Sequence, residues 1–189
     1  MSQAKTLTQV EIEQVLAYIA TRRFALRNRV MLLTSFMSGM RVGEIASLTV
    51  GDVLNADGTV KNEIRLQAHQ TKGRQPRTVF VPQKLQVELQ RYMDIRRVSD
   101  MADPLFVTAG AKAFSANVMA QHFFWLYKKV GIDGASSHSG RRSFITNLAT
   151  KGISVRVLAS LAGHRSIAVT QRYIDCNDQM LRNAVELID

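Results

Sequence analysis

The chain has 189 residues and a formal net charge of +10, from 25 Lys and Arg against 15 Asp and Glu. That length supports one sizeable core and leaves little for a second full domain, and a composition 46% hydrophobic and 21% charged is that of a folded globular protein. No window reaches the ~18 continuous apolar residues of a membrane span. No apolar signal segment opens the sequence, and the single cysteine, Cys176, excludes a disulfide framework and a cysteine-based metal site. The expected location is the cytoplasm, and the positive surplus makes a polyanion, nucleic acid first, the expected partner.

Taken in chain order, Thr8 followed by Glu11 forms a capping box ahead of "VEIEQVLAYIATRR", in which Val10, Ile12, Val15, Leu16 and Ile19 fall largely on one face. A second helix runs through "ALRNRVMLLTSFMSGM" to Gly39, and a third, "RVGEIASL", places Arg41 and Glu44 three positions apart. After a turn at "NADG" the period shortens: "EIRLQ" (63–67) and "TVFVP" (78–82) read as two β-strands, with Lys72 and Gly73 near the tip of the hairpin between them. Helical patterns then return in "QKLQVELQRYMDIRR", in "SANVMAQHFFWLYKKV" behind a Ser115 cap, and in "GRRSFITNLATKG", closed by Gly152. "SVRVLASLAG" closes at Gly163, "SIAVTQRYI" is short, and "NDQMLRNAVELID" starts from an Asn177 cap. There is no repeat, low-complexity tract or linker, so the expectation is a single domain over 1–189, mainly α with one small antiparallel β-hairpin (α+β).

Singly, the polar residues have plain explanations. His138 and His164 lie near turns, where a histidine commonly bonds a backbone carbonyl. Arg41 with Glu44 reads as a solvated helix pair worth a few tenths of a kcal/mol. Lys72 suits a soluble turn, and Tyr173 an amphipathic core edge. Metal binding is set aside because no carboxylate flanks His138 and Arg141 and no H-E-x-x-H occurs. Glycine loops that cradle nucleotide phosphates are also missing from the sequence, which argues against nucleotide hydrolysis.

The combination says more. "SGMRVGEIASL" around Arg41, "QTKGRQPRTVFVP" around Lys72, "HSGRRSFITNLATKG" with His138 and Arg141, and "LAGHRSIAVTQRYI" with His164 and Tyr173 together resemble the tyrosine recombinases, or phage integrases, over nearly the whole chain from Leu7. The resemblance implies that family's catalytic-domain fold and a site-specific recombinase that cuts and rejoins double-stranded DNA through a 3′-phosphotyrosyl link. It implies Tyr173 as nucleophile and Arg41 and Arg141 as clamps on the phosphate, whose transition state gathers charge that forked guanidiniums neutralise. It gives Lys72 the role of acid to the leaving 5′-oxygen, His138 a part in activating the tyrosine, and His164 a hydrogen bond donated to a non-bridging oxygen. Glu44 would hold the first arginine. Neither cofactor, metal, small-molecule substrate nor membrane is implied, and the protein would sit with nucleoid DNA.

Two departures qualify the resemblance. Gly140 stands before Arg141 where the family has leucine or another apolar residue, so packing behind that arginine is expected to differ. An amino-terminal DNA-clamping domain, also called the core-binding domain, is not evident in the sequence, which therefore reads either as a catalytic fragment of a longer recombinase or as one of the short single-domain members. The last segment puts Met180, Leu181, Ala184, Val185 and Leu187 on one face, suited to packing on a neighbouring protomer in a tetramer on DNA, or back onto its own domain. Two rivals stay open: a non-enzymatic regulator with a helix-turn-helix in "VLASLAGHRSIAVTQRY", and a topoisomerase of the related tyrosine type.

Overall fold

The computed structural model describes residues 4–174, 178–186 and 188. Helix α1 (Gln9–Ala20) opens on the expected capping box: Thr8 Oγ1 accepts the Glu11 N–H at 3.2 Å and Glu11 Oε2 accepts the Thr8 N–H at 2.9 Å. It buries Ile12, Val15 and Ile19, but Val10 is exposed. Val10 lies two residues before Ile12, and two helical steps carry a side chain to the opposite face.

Helix α2 (Ala25–Ser38) is the centre of the domain. Val30, Met31, Leu32, Leu33 and Phe36 are all buried, which one amphipathic stripe would not produce, because α1, α5 and α7 pack around it. It stops at Gly39, in the left-handed region at φ 63°, where an added Cβ would also lie 2.4 Å from the Phe144 ring. Helix α3 (Val42–Ala46) follows at once with Arg41 as its N-cap. Helix α4 (Val50–Val53), capped by Thr49, is too short to show a period and was not expected.

Strands β1 (Glu63–Leu66) and β2 (Arg77–Phe80) pair antiparallel, with Ile64 opposite Val79 and Leu66 opposite Arg77. Their link is more structured than a plain tip. A 3-10 turn (Ala68–Gln70) buries Gln70, whose Nε2 donates to Asp52 Oδ2 at 2.8 Å and to the Ser47 carbonyl at 3.2 Å. This pins the start of the loop to α4 and leaves Lys72 exposed beyond it.

The remaining helices are α5 (Gln83–Ile95), α6 (Ala116–Lys129, from the Ser115 cap), α7 (Ser139–Thr150), α8 (Val155–Ala162, from a Ser154 cap to Gly163), α9 (Ile167–Gln171) and α10 (Asp178–Val185). Leu85, Leu89 and Tyr92 of α5 and Met119, Phe123 and Tyr127 of α6 complete the core with Leu105 and Phe106. In α10, Leu181 and Val185 are 56% and 64% exposed and Ala184 is exposed too, so this part of the expected apolar face is uncovered. Asn177, Leu187 and the Met180 side chain lie outside the described residues, and no described helix is long and apolar enough to cross a membrane.

Gly140 is explained by the crossing of α7 over α2. A Cβ there would stand 2.2 Å from Ser35 Oγ and 3.2 Å from the Ser35 backbone, so hydrogen is the only substituent that lets the two helices meet this closely. The family's leucine would force α7, and Arg141 on it, away from α2. Gly140→Leu should therefore lower stability by at least ~2 kcal/mol, read from the urea midpoint. An unchanged midpoint would contradict this packing.

Candidate active site

The end of α8 organises the site. A helix C-terminus leaves carbonyls without intrahelical partners and carries partial negative charge. Three successive carbonyls here each take an arginine from a different element: Leu161 from Arg77 Nη1 at 3.0 Å, Ala162 from Arg141 Nη2, and Gly163 from Arg41 Nη2 at 3.5 Å. Arg141 also donates Nη1 to the Gly39 carbonyl at 2.7 Å, so one buried guanidinium bridges the ends of α2 and α8.

Glu44 is the counterweight. Its carboxylate receives Arg77 at 2.7 Å and 3.3 Å, Arg41 Nη1 at 3.0 Å and the Arg41 backbone N–H at 2.8 Å. It is 1% exposed, so the solvated-pair reading of Arg41 and Glu44 does not hold. Burial alone would raise its pKa, but the hydrogen bonds and charge of Arg77, then those of Arg41, hold it below 4.5. Two guanidiniums thus share one carboxylate, and Arg141 beside them has none, which leaves a positive excess. Burial first, and then the neighbouring Arg41, pushes Arg141 down to about 9, still charged at neutral pH.

His164 and Tyr173 close the other side. His164 Nε2 lies 2.8 Å from Arg141 Nη2, and its Nδ1 lies 2.9 Å from Thr170 Oγ1. The Tyr173 ring stacks on His164 with centroids 5.7 Å apart and 23° between planes. Tyr173 sits not within the short helix but on the turn two residues beyond α9, where its N–H bonds the Thr170 carbonyl at 2.9 Å and its own carbonyl accepts from Thr146 Oγ1 at 3.1 Å. Arg142 lies 5.6 Å over the other part of this pair, above the Tyr173 ring. Helix α7 therefore carries Arg141 and also anchors the tyrosine backbone.

His138 is the N-cap of α7, set by a serine turn in which the Ser136 N–H bonds Ser139 Oγ at 3.0 Å and the His138 N–H bonds Ser136 Oγ at 3.3 Å. His138 and Tyr173 line one hollow, His138, Lys72 and Arg41 the next, and Lys72, Arg41 and His164 a third of about 580 Å³. Five of the six residues expected to carry chemistry line these three adjoining hollows, with Glu44 as the one acidic lining residue among those described, while Arg141 is buried behind them and reaches the site through its contact with His164. Arg165 Nη2 bonds the Gly73 carbonyl at 2.7 Å, tying the Lys72 loop to the turn that carries His164.

Sequence reading missed Arg77, Thr146 and Thr170. For Arg77 a signal existed: residues 77, 79 and 81 share one strand face, and Val79 and Val81 are core, so an arginine in that register points inward and needs a partner. Thr146 and Thr170 gave none, since their roles depend on where other segments fold. The helix-turn-helix alternative loses ground, because α9 has five residues and its Thr170 is fully buried against His164.

The family model described as the phage integrase family matches residues 5–180. Among curated proteins, tyrosine recombinase XerA of Pyrococcus furiosus is 29% identical over 187 residues, covering 96% of this chain and 61% of that protein. The chain thus spans about three fifths of that relative's length. Among solved structures, a XerA recombinase crystal structure superposes with a TM-score of 0.77 at 24% identity, over 98% of this chain and 65% of that one. The Tn1549 transposon integrase in complex with circular intermediate DNA gives 0.76 at 19% identity, over 100% and 68%.

The buried carboxylate makes a testable contribution to stability. Its folded pKa lies below the value near 4.5 of an unpaired glutamate, so the stabilisation is fully present above that value and is lost as pH falls through the lower folded one. Glu44→Gln should cost ~2 kcal/mol or more at pH 7, and the gap from wild type should narrow on acidification. Urea unfolding at both pH values reads this. A gap that stays constant or widens toward low pH would contradict an ionised, arginine-paired Glu44.

Proposed function

The chain belongs to the phage integrase family, and from that membership and the geometry of the cleft we propose that it is a site-specific recombinase that breaks and rejoins double-stranded DNA. The observation that carries the reading is the excess of guanidinium over carboxylate around Arg41, Arg77, Arg141 and Glu44, beside a tyrosine and two histidines. Such a cleft asks for an anion, and a phosphodiester supplies one with reactive chemistry. The Tn1549 integrase that shares the fold is held on circular intermediate DNA, which supports DNA as the substrate class.

In this reading Arg41 and Arg141 hold the non-bridging oxygens of the scissile phosphate. Tyr173 Oη attacks phosphorus, a new P–O bond forms to the phenol, and the bond to the 5′-oxygen breaks. His138 takes the phenolic proton and Lys72 donates one to the leaving 5′-oxygen. The 3′-phosphotyrosyl link keeps the bond energy, so a different 5′-hydroxyl reseals the strand by the reverse sequence without ATP. Glu44 orients Arg41, and His164 stands at the same phosphate. The exposed Leu181, Ala184 and Val185 of α10 are the surface through which protomers assemble as a tetramer on DNA. The unit works as a catalytic domain on the DNA of the nucleoid.

The test is a denaturing gel of the protein mixed with nicked duplexes from DNA flanking its own gene, followed by mapping of the DNA-linked peptide. A covalent band through Tyr173 is expected. Tyr173→Phe should bind DNA nearly as well and give no band, and Arg41→Lys should lose at least ~100-fold in cleavage because an ammonium lacks the forked contact. A band that survives Tyr173→Phe, or maps to another residue, would overturn the assignment.

A further inference from the structure

The role implied for His164, donation to a phosphate oxygen, does not match its state in the free cleft. A guanidinium has only N–H donors, so the 2.8 Å contact from Arg141 Nη2 requires a lone pair on His164 Nε2. The imidazole is then neutral, with its hydrogen on Nδ1 directed at Thr170 Oγ1, 2.9 Å away. Burial, and then Arg141, Arg41 and Arg77, push the ring's pKa down to about 4, in keeping with a neutral ring.

A phosphate that accepts from Arg141 would bring its oxygen lone pairs against the lone pair of Nε2. The three arginines oppose a second proton on the ring, so the neutral route is to move the single hydrogen from Nδ1 to Nε2 by exchange with solvent. That leaves Nδ1 needing a donor. A hydroxyl meets both demands, accepting in one state and donating in the other by rotation about its C–O bond. Thr170 is 0% exposed, so bulk water is not placed to substitute for it.

We propose that Thr170 is a positioning residue that lets His164 exchange tautomers, so that Nε2 accepts from Arg141 in the free cleft and donates to a phosphate oxygen in the occupied one. Only the occupied half rests on the DNA-cleaving reading. Thr170 touches neither phosphate nor tyrosine hydroxyl in this scheme and acts through His164.

The experiment is nitrogen-15 NMR of the histidine-labelled protein at pH 7, with His164 assigned by comparison with His164→Gln. The free protein should show a protonated Nδ1 and an unprotonated Nε2. An Nε2–H tautomer or an imidazolium would overturn the proposal. Inorganic phosphate, raised until the Arg141 side-chain resonances shift, should transfer the proton to Nε2 with loss from Nδ1, whereas two protonated nitrogens, or no change, would contradict it. Thr170→Val should lose the fixed tautomer and cleave ~10-fold more slowly at unchanged DNA affinity, and Thr170→Ser, which keeps the hydroxyl, should recover both. A valine variant with wild-type tautomer and rate would defeat the role of the hydroxyl. If no covalent link to DNA forms through Tyr173, the cleavage reading fails by itself, and the free-state tautomer with its dependence on residue 170 still decides this inference.

Discussion

Everything at the cleft depends on how the last turn of α8 ends. Its carbonyls at 161, 162 and 163 would be left unpaired by the helix, and each is met by an arginine delivered from elsewhere in the chain. Without that terminus Arg41 and Arg77 would keep only Glu44, and Arg141 only the Gly39 carbonyl and a histidine nitrogen, so each would hold a donor without its partner, at a cost of about 1–3 kcal/mol where it is buried. Gly163 permits the arrangement in two ways. Its φ of 62° turns the chain out of the helix, and a Cβ there would stand 2.6 Å from the Arg77 side chain.

Neutral carbonyls can orient a guanidinium but cannot cancel its charge. Glu44 supplies one negative charge and holds it between Arg41 and Arg77, while Arg141 has only carbonyls and a histidine nitrogen. The donors are therefore fixed in advance and the charge stays uncompensated, which is the condition under which an incoming phosphate gains most and reorganises least. The same frame positions the tyrosine: α7 supplies Arg141 at one turn and Thr146 to the Tyr173 carbonyl further on, so the proposed phosphate clamp and the proposed nucleophile are held by one helix. Gly140, which lets α7 touch α2, is a condition of that geometry, as is the left-handed Gly39 whose carbonyl Arg141 bonds.

The sequence made the helices legible because their signals are local: the Thr8–Glu11 box, the Ser115 cap, and the glycines at 39 and 163 that end α2 and α8. The order of Arg41, Lys72, His138, Arg141, His164 and Tyr173 was readable as a family pattern; five of them line adjoining hollows and Arg141 stands behind, against His164. What was not readable is non-local. Arg41 meets the carbonyl of Gly163 across 122 positions, and no periodicity encodes that meeting. Arg77 was hidden in the register of a strand, Thr170 by the bond its hydroxyl makes to a ring six residues away, and α4 by being shorter than the period that would reveal it.

The proposed function requires this cleft to receive a tetrahedral anion. A crystal of the protein soaked in tungstate tests it directly, because the metal's anomalous signal locates the oxyanion without ambiguity. The account predicts a peak within hydrogen-bonding reach of both Arg41 and Arg141, on the side of the cleft where Tyr173 and His164 stack, with Arg77 still bound to Glu44. A peak held by Arg77 in place of Glu44, or bound elsewhere with the Arg41–Arg141 site empty, would contradict it.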